Sequence, residues 1–391
     1  MDSQKGGLGV IQDSVLRQFL FNHNFIELER AIPNFSPGET LTTLEDGSVV
    51  KVPDFSLVYL FHFPDTTSIL ALCDTFRTIS CVEWVNPNLL LFTYSNPNDP
   101  RFSEQWSLAR INAPGAWNYE KGSSNVRIGI VDGGIKHDHP DLGAGFGSGF
   151  KIAGGYDFGE DDNDPYDYSG DPHGTHVAGI ASALTHNGIG IAGMSGGWGS
   201  ANKGCLLYNC KVASAIGILS SDVAEAIIMA AKPVAQGGYG CRVINLSLGA
   251  PFDPNPQHYY PYISEEIREA IIYAYKCQRN VIAAKGNAGY FGGLYWTPPF
   301  WNFPSDFEPH LVISVGATGE DDHRCLWSNY SNNIDVVAPG SNILSTYMPS
   351  GNNMYYEKSG TSMAAPHVSG LAGLIWSEAQ ELGMPMMPEL V

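Results

Sequence analysis

A serine stands among small residues in Gly360-Thr361-Ser362-Met363-Ala364-Ala365-Pro366, a histidine in His173-Gly174-Thr175-His176, and an aspartate in Val131-Asp132-Gly133. A serine hydroxyl is a poor nucleophile at neutral pH. An imidazole within hydrogen-bond reach must take its proton, and a carboxylate must fix that imidazole's tautomer and steady its charge. The three residue types therefore predict acyl transfer, and their chain order Asp, His, Ser, which one of the convergent serine-protease folds uses, predicts hydrolysis of a peptide bond. They lie far apart in the chain, so only a folded scaffold could join them.

Such a scaffold is legible around them. From about residue 105 onward, short β-branched runs alternate with helical patterns, which predicts an α/β fold: a doubly wound, mostly parallel sheet with helices on both faces. Residues 127–131, 242–246, 280–284 and 311–315 read as strands. The segment stopped at Pro233 reads as a helix begun by a capping pair, Asp222 and Glu225, while Ile267, Ala270, Ile271 and Ala274 share one helical face. Asp132 follows its strand at once, and Asn287 comes three residues after another; ligands gather at such carboxyl ends in open parallel sheets. Ser362 opens an apolar segment and is expected at a helix N-terminus, where free N–H groups favour a developing oxyanion. The chain order Asp, His, Ser is one of the convergent arrangements that serine hydrolases use.

Residues before 95 read differently. Apolar runs at 56–63, 81–85 and 89–94 surround a helix-like segment at 68–76, a small α+β unit ended by the breaker Asn96-Pro97-Asn98-Asp99-Pro100. The expected organisation is an N-terminal domain over 1–95, a linker or processing region over 96–104, and the larger domain over 105–391.

A chain of 391 residues suits one large domain plus a smaller one. A formal charge of −19 with only 21 Lys and Arg argues against a nucleic-acid partner, whose phosphates want a basic face. The acid is concentrated in Asp157, Glu160, Asp161, Asp162, Asp164, Asp167 and Asp171, which repel one another unless a cation or solvent separates them. No stretch approaches the roughly 18–20 apolar residues of a membrane span, and the N-terminus lacks the apolar run of a signal peptide. Seven cysteines leave at least one unpaired. Cys205 and Cys210 lie closest together, with a disulfide and buried free thiols both open.

Together the motifs resemble the subtilisin-type serine proteases, the subtilases. Beyond the three blocks above, His139-Pro140-Asp141-Leu142, Ile244-Asn245-Leu246-Ser247-Leu248-Gly249 and Gly286-Asn287-Ala288-Gly289 match the family in order, and the resemblance spans about residues 97–380. It implies Asp132 as orienter, His173 as general base and then acid, and Ser362 as nucleophile. Asn287 would donate its side-chain amide to the oxyanion, and Ser247, Leu248, Gly249 and Gly286 would hold the substrate backbone. The thermitase-like branch further implies structural calcium, at Asp157, Asp162 and Asp164 with Glu160 a weaker candidate, and at Asp99, Asp141 and the 184–191 loop with Asn187. Phe303-Pro304 resembles the family's cis-proline turn beside the specificity pocket. Residues 1–95 resemble its inhibitory propeptide through Glu83-Trp84-Val85-Asn86-Pro87-Asn88, with self-cleavage near 94–98. The implied protein is a calcium-stabilised zymogen, monomeric, secreted or held at the cell envelope, acting on protein or peptide substrates and restrained by its own propeptide.

Departures from the pattern carry expectations of their own. Gly133 stands where the family has Ser or Thr, removing a hydroxyl near Asp132. Pro172 precedes His173. Lys285 replaces a small residue and would bring a flexible cation near the oxyanion site. The chain ends soon after the Ser362 helix, which predicts a peptidase domain truncated at its C-terminus. An aromatic, glycine-rich insert at 290–301 would flank the pocket. His176 and His367 read as packed helix residues, and His137 with His139 as a solvated loop rather than a metal pair. These departures keep two alternatives open: a catalytically impaired peptide-binding subtilase fold, and a maturation peptidase of narrow specificity.

Overall fold

The computed structural model describes all residues except 1–4, 37, 39, 65, 90–95, 253–263, 289, 292–293, 296–300, 308–309, 353, 386–387 and 389–391. It divides into two compact units, residues 1–91 and 92–391. In the first, strands Lys5–Gly6, Glu27–Arg30 and Tyr59–His62 form an antiparallel sheet, and Leu41–Thr43 pairs with Val49–Lys51. Helices Ser14–Asn22 and Ile69–Phe76 complete it. Leu20, Leu28, Leu72, Phe76 and Ile79 form its core, with Phe19 edge-on to Phe76. The expected helix at 68–76 is present, its Ser68 in the capping position. The run at 81–85 is not a strand: Val82 and Val85 pack onto the core from irregular chain instead. The tail of the 89–94 run lies outside the described residues.

In the second unit the strands of the main sheet are β1 (Arg127–Asp132), β2 (Ile152–Asp157), β3 (Leu206–Lys211), β4 (Val243–Leu246), β5 (Asn280–Ala284), β6 (Val312–Thr318) and β7 (Val336–Pro339). Among the described residues they make a seven-stranded sheet in the order β7-β6-β5-β4-β1-β3-β2, every neighbour parallel. Side chains alternate between faces with a period of two. Ile128 and Ile130 enter one apolar cluster and Val131 the other; Ile282 and Ala284 divide from Val281 and Ala283 in the same way. Helices α1 (His173–Ser182) and α4 (Thr361–Glu381) cover the first face, and α2 (Ser220–Ala231) and α3 (Glu265–Lys276) the second. Along the central strands β1, β4 and β5 both faces are buried, which is why these strands read as continuous apolar runs. Each fully buried Val or Ile contributes about 1.5–3 kcal/mol.

One local expectation is corrected, and one question left open is decided. Helix α2 starts at Ser220 with Leu219 before it, so Asp222 lies inside the first turn and does not cap it. Its charge still favours the helix, because the N-terminal dipole end is positive. Cys205 and Cys210 stand an odd number of positions apart along β3 and its approach, so their side chains enter opposite clusters; all seven cysteines are free thiols.

Candidate active site

Asp132 is the last residue of β1, and its side chain is buried. Helix α1 begins with His173 after Pro172. Gly174 allows this close approach, because a Cβ there would come within 2.3 Å of the Gly134 carbonyl and 3.1 Å of Asp132 Oδ1. His173 Nδ1 lies 2.8 Å from Asp132 Oδ1. An ionised carboxylate only accepts, so Nδ1 carries the proton and the neutral ring keeps Nε2 as a base. The Asp132 charge raises the His173 pKa above its usual 6.5 against the opposing effect of burial. Asp132 Oδ1 also accepts from Gly133 N, at 2.7 Å, while Oδ2 is buried with no hydrogen-bond partner. Gly133 next to it brings no side-chain donor to this oxygen.

Ser362 occupies the first turn of α4, after Gly360. Its Oγ donates to the Ser247 carbonyl at 3.0 Å, and Ser247 Oγ returns a bond to the Ser362 carbonyl at 2.9 Å. Ser247 follows β4, the neighbour of β1, with Leu246 opposite Val131. Ser247 and Asp132 thus continue adjacent strands, whose spacing is about 4.8 Å. The serine is tethered to one strand end and the histidine to the next. In this structure the Ser362 hydroxyl is engaged by Ser247 rather than by the imidazole.

Asn287 follows β5 after Gly286, whose φ of 96° turns the chain out of the strand. Its Oδ1 accepts from Thr361 N at 2.9 Å and Thr361 Oγ1 at 3.0 Å, and Thr361 Oγ1 in turn accepts from Gly286 N at 2.9 Å. Fixing Oδ1 leaves the Nδ2 donor free. Asn287 and Ser362 line one cleft of about 300 Å³ together with Ser247, Leu248, Gly249 and Gly286. Leu248 and Gly249 also border an adjoining, more apolar cavity of about 600 Å³ walled by Ile218, Val223, Ile267 and Phe303. The Phe303-Pro304 bond is cis. The insert at 290–301 lies largely outside the described residues.

Lys285 does not reach the cleft, contrary to expectation. It continues the alternation of Val281 and Ala283 onto the α2/α3 face, where it is fully buried and paired with Asp306. His139 is likewise no solvated residue: it is buried, with Nε2 2.8 Å from the Met354 carbonyl and Nδ1 accepting from Asp141 N. His137 packs between the rings of Phe146 and Tyr166. His176 and His367 are packed helix residues, each held by a backbone carbonyl and each pushed down by burial, to about 3 and about 4. Sequence reasoning assigned no role to Thr361 or Asn329, the two side chains that hold the Asn287 segment: Thr361 stands inside the Ser362 motif, which could have flagged it, and Asn329 stands in no motif.

The acidic residues divide into two unlike groups. Asp99 and Asp141 are both buried, and Asn187 Nδ2 donates to Asp141 Oδ1 at 2.8 Å. Backbone amides of His186 and Asn187 bond Asp99, and that of Ile191 bonds Asp141. Desolvation raises both carboxyls, Asp141 to about 7. Among the described residues neither forms an ion pair with a Lys or Arg. Two buried acids from separate segments meet the 184–191 loop without a Lys or Arg counter-charge, which fits a hard cation. The Asp157 group fits less well: Asp157 Oδ2 is paired with Lys211 Nζ at 2.5 Å, and its Oδ1 accepts from Gly159 N and Glu160 N. Asp162 and Asp164 are exposed, and each is used to close its own turn.

An all-parallel sheet with an Asp–His pair, a helix-borne serine and a free amide at its carboxyl edge defines an α/β hydrolytic enzyme of the serine class. The Subtilase family profile matches residues 123–390, and the chain belongs to that family. It is 35% identical over 347 residues to a thermophilic serine proteinase of Bacillus sp. (strain AK1), covering 88% of this chain and 75% of that one. It is 38% identical over 285 residues to thermitase of Thermoactinomyces vulgaris, covering 73% and 86% respectively. Among solved structures, a protease from Pseudoalteromonas arctica PAMC 21717 superposes with a TM-score of 0.59 at 31% identity, over 76% of this chain and 90% of that one. The protein is a subtilisin-like serine protease of the thermitase-like kind. No helix among the described residues is long and apolar enough to cross a membrane.

Proposed function

We propose that this enzyme cleaves internal peptide bonds through an acyl-enzyme, with Ser362 as nucleophile, His173 as base and then acid, and Asp132 holding the ring. The observation that carries this reading is the 2.8 Å Asp132–His173 bond at a strand end next to the one that tethers Ser362. In this mechanism Ser362 Oγ leaves the Ser247 carbonyl and turns to His173 Nε2. Nε2 accepts the hydroxyl proton as Oγ attacks the scissile carbonyl, and the oxyanion receives the Asn287 amide and the Ser362 N–H. His173 returns the proton to the leaving amine. Water, activated by the same nitrogen, then hydrolyses the ester.

Calcium at Asp99, Asp141 and Asn187 is part of this reading, its support being the two uncompensated buried acids. Bound there, the cation supplies counter-charge and holds the 184–191 loop; it takes no step in the chemistry. No cation is proposed for the Asp157 loop, where Lys211 already meets the carboxylate. The compact unit over residues 1–91 is read as an inhibitory propeptide removed by the enzyme itself.

A fluorophosphonate probe followed by peptide mapping tests the nucleophile. Labelling at Ser362, lost in Ser362→Ala, is expected; a folded enzyme that stays unlabelled there would sink the proposal. A peptide-library digest measures breadth, and a single preferred sequence would replace a general endopeptidase by a dedicated maturation peptidase.

A further inference from the structure

Behind the oxyanion segment lies an ion pair that the chemistry above does not use. Lys285 Nζ, wholly inaccessible, donates to Asp306 Oδ1 and, at 2.6 Å, to Ser331 Oγ, which itself donates to the same Oδ1 at 2.7 Å. Asp306 Oδ2 accepts from the Asn302 backbone N–H at 2.6 Å, inside the turn that carries the cis bond to Pro304. Three otherwise separate segments, 285–288, 302–306 and 329–333, therefore meet at one buried charge pair. Asn329 completes the bracket around Asn287: its N–H bonds the Gly286 carbonyl at 2.9 Å, its Nδ2 the Lys285 carbonyl at 3.2 Å, and its Oδ1 accepts from Ala288 N at 2.7 Å.

Energetics argue that such a pair is not there for stability. Removing two charges from water costs as much as their attraction returns, and apolar residues of similar volume do as well or better. What a fully satisfied buried network does supply is a unique geometry. Geometry matters most at an oxyanion donor, where a displacement of about 1 Å costs about 10²-fold in rate.

We propose that the Lys285–Asp306–Ser331 cluster is a positioning device that sets the Asn287 amide and joins it rigidly to the turn walling the substrate cleft. The inference rests on Asn287 acting as the oxyanion donor. Lys285, Asp306 and Ser331 are positioning residues and touch no reacting atom.

The test is a mutant cycle on kinetics with a short chromogenic peptide. Lys285→Met combined with Asp306→Leu removes both charges at once, leaving neither buried alone. Folding is expected to survive, kcat to fall by at least about tenfold, and KM to change by less than about twofold. Asn287→Ala, expected to cost about 10²–10³-fold in the native enzyme, should cost less than about tenfold in the doubly substituted one. An unchanged kcat, or an undiminished cost of Asn287→Ala in that background, overturns the proposal while leaving the role of Asn287 intact. If Asn287→Ala is silent in the native enzyme, the oxyanion reading itself fails and the inference with it. Should the double variant not fold, Ser331→Ala decides: a kcat loss of about threefold or more at unchanged melting temperature supports the device, and an unchanged kcat removes it.

Discussion

Asp132 holds the His173 ring with one oxygen and leaves the other buried and unpartnered. A buried acceptor without a donor costs about 1–3 kcal/mol. A Cβ at Gly133 would meet nothing nearer than the Ala213 methyl at 4.0 Å, and no positive φ forbids a side chain there. Gly133→Ser is therefore expected to raise stability by about 1 kcal/mol in thermal denaturation and to raise kcat/KM, since a second bond steadies the carboxylate. His173 itself ties pH to two opposed effects. Its pKa is raised, so its contribution to folding is complete below the unfolded value near 6.5 and is lost as pH rises through the folded value. Activity runs the other way, because only the neutral ring accepts a proton. A pH profile of kcat/KM should show its acid limb inflecting above 6.5, with Lys358 lowering and Asp171 raising that point; an inflection at or below 6.5 would contradict the pairing. Asp132→Asn should remove the raised value and lower kcat by about 10⁴-fold.

At the scale of elements, the approach of α4 to α1 decides where Ser362 and His173 stand. A Cβ at Gly370 would lie 2.5 Å from Met194 Cβ and 2.6 Å from the Ala181 carbonyl. Gly370→Leu should thus destabilise by about 1–3 kcal/mol and, unlike a loop substitution, depress kcat as α4 is pushed from its partner. The 184–191 loop is the other positioning element. Asp99 and Asp141 anchor it through backbone amides and carry a desolvation cost that a divalent cation would offset. Chelation is expected to lower the melting temperature by mass action, about 2.7 kcal/mol if free calcium had stood at 100 times its dissociation constant. Asp99→Asn should abolish most of that sensitivity, and a melting curve indifferent to chelator in the native chain would remove the calcium proposal.

For the whole molecule, the separate core of residues 1–91 lets maturation be read as a mass. Leu20, Leu28, Leu72 and Phe76 form a cluster of their own, so this unit holds a fold by its own burial. Purified Ser362→Ala is expected to keep the full-length mass, and the active enzyme to lose the N-terminal unit. The same cleavage in the alanine variant would assign processing to another protease. The acidic balance, −19 overall, favours solubility at neutral pH and sets no partner by itself.

Local sequence was sufficient where chemistry or burial is written in short range. The strands at 127–131 and 280–284 follow from short β-branched apolar runs, the apolar face of α3 from a 3.6-residue period, and the placement of Ser362 at a helix start from the apolar segment it opens. Tertiary contact decided the rest. Lys285 looks like a cation beside the oxyanion site until β5 carries it, by strand alternation, to Asp306 on the opposite side. His139 looks solvated until the Met354 carbonyl and the Asp141 amide claim both ring nitrogens. Whether Asp157 faces a metal or a lysine depends on Lys211, a strand away. Asp306, Met354 and Lys211 are all remote along the chain from the residues they decide, and the energy of a buried charge or polar group is set by what folding brings against it, which composition and spacing do not encode.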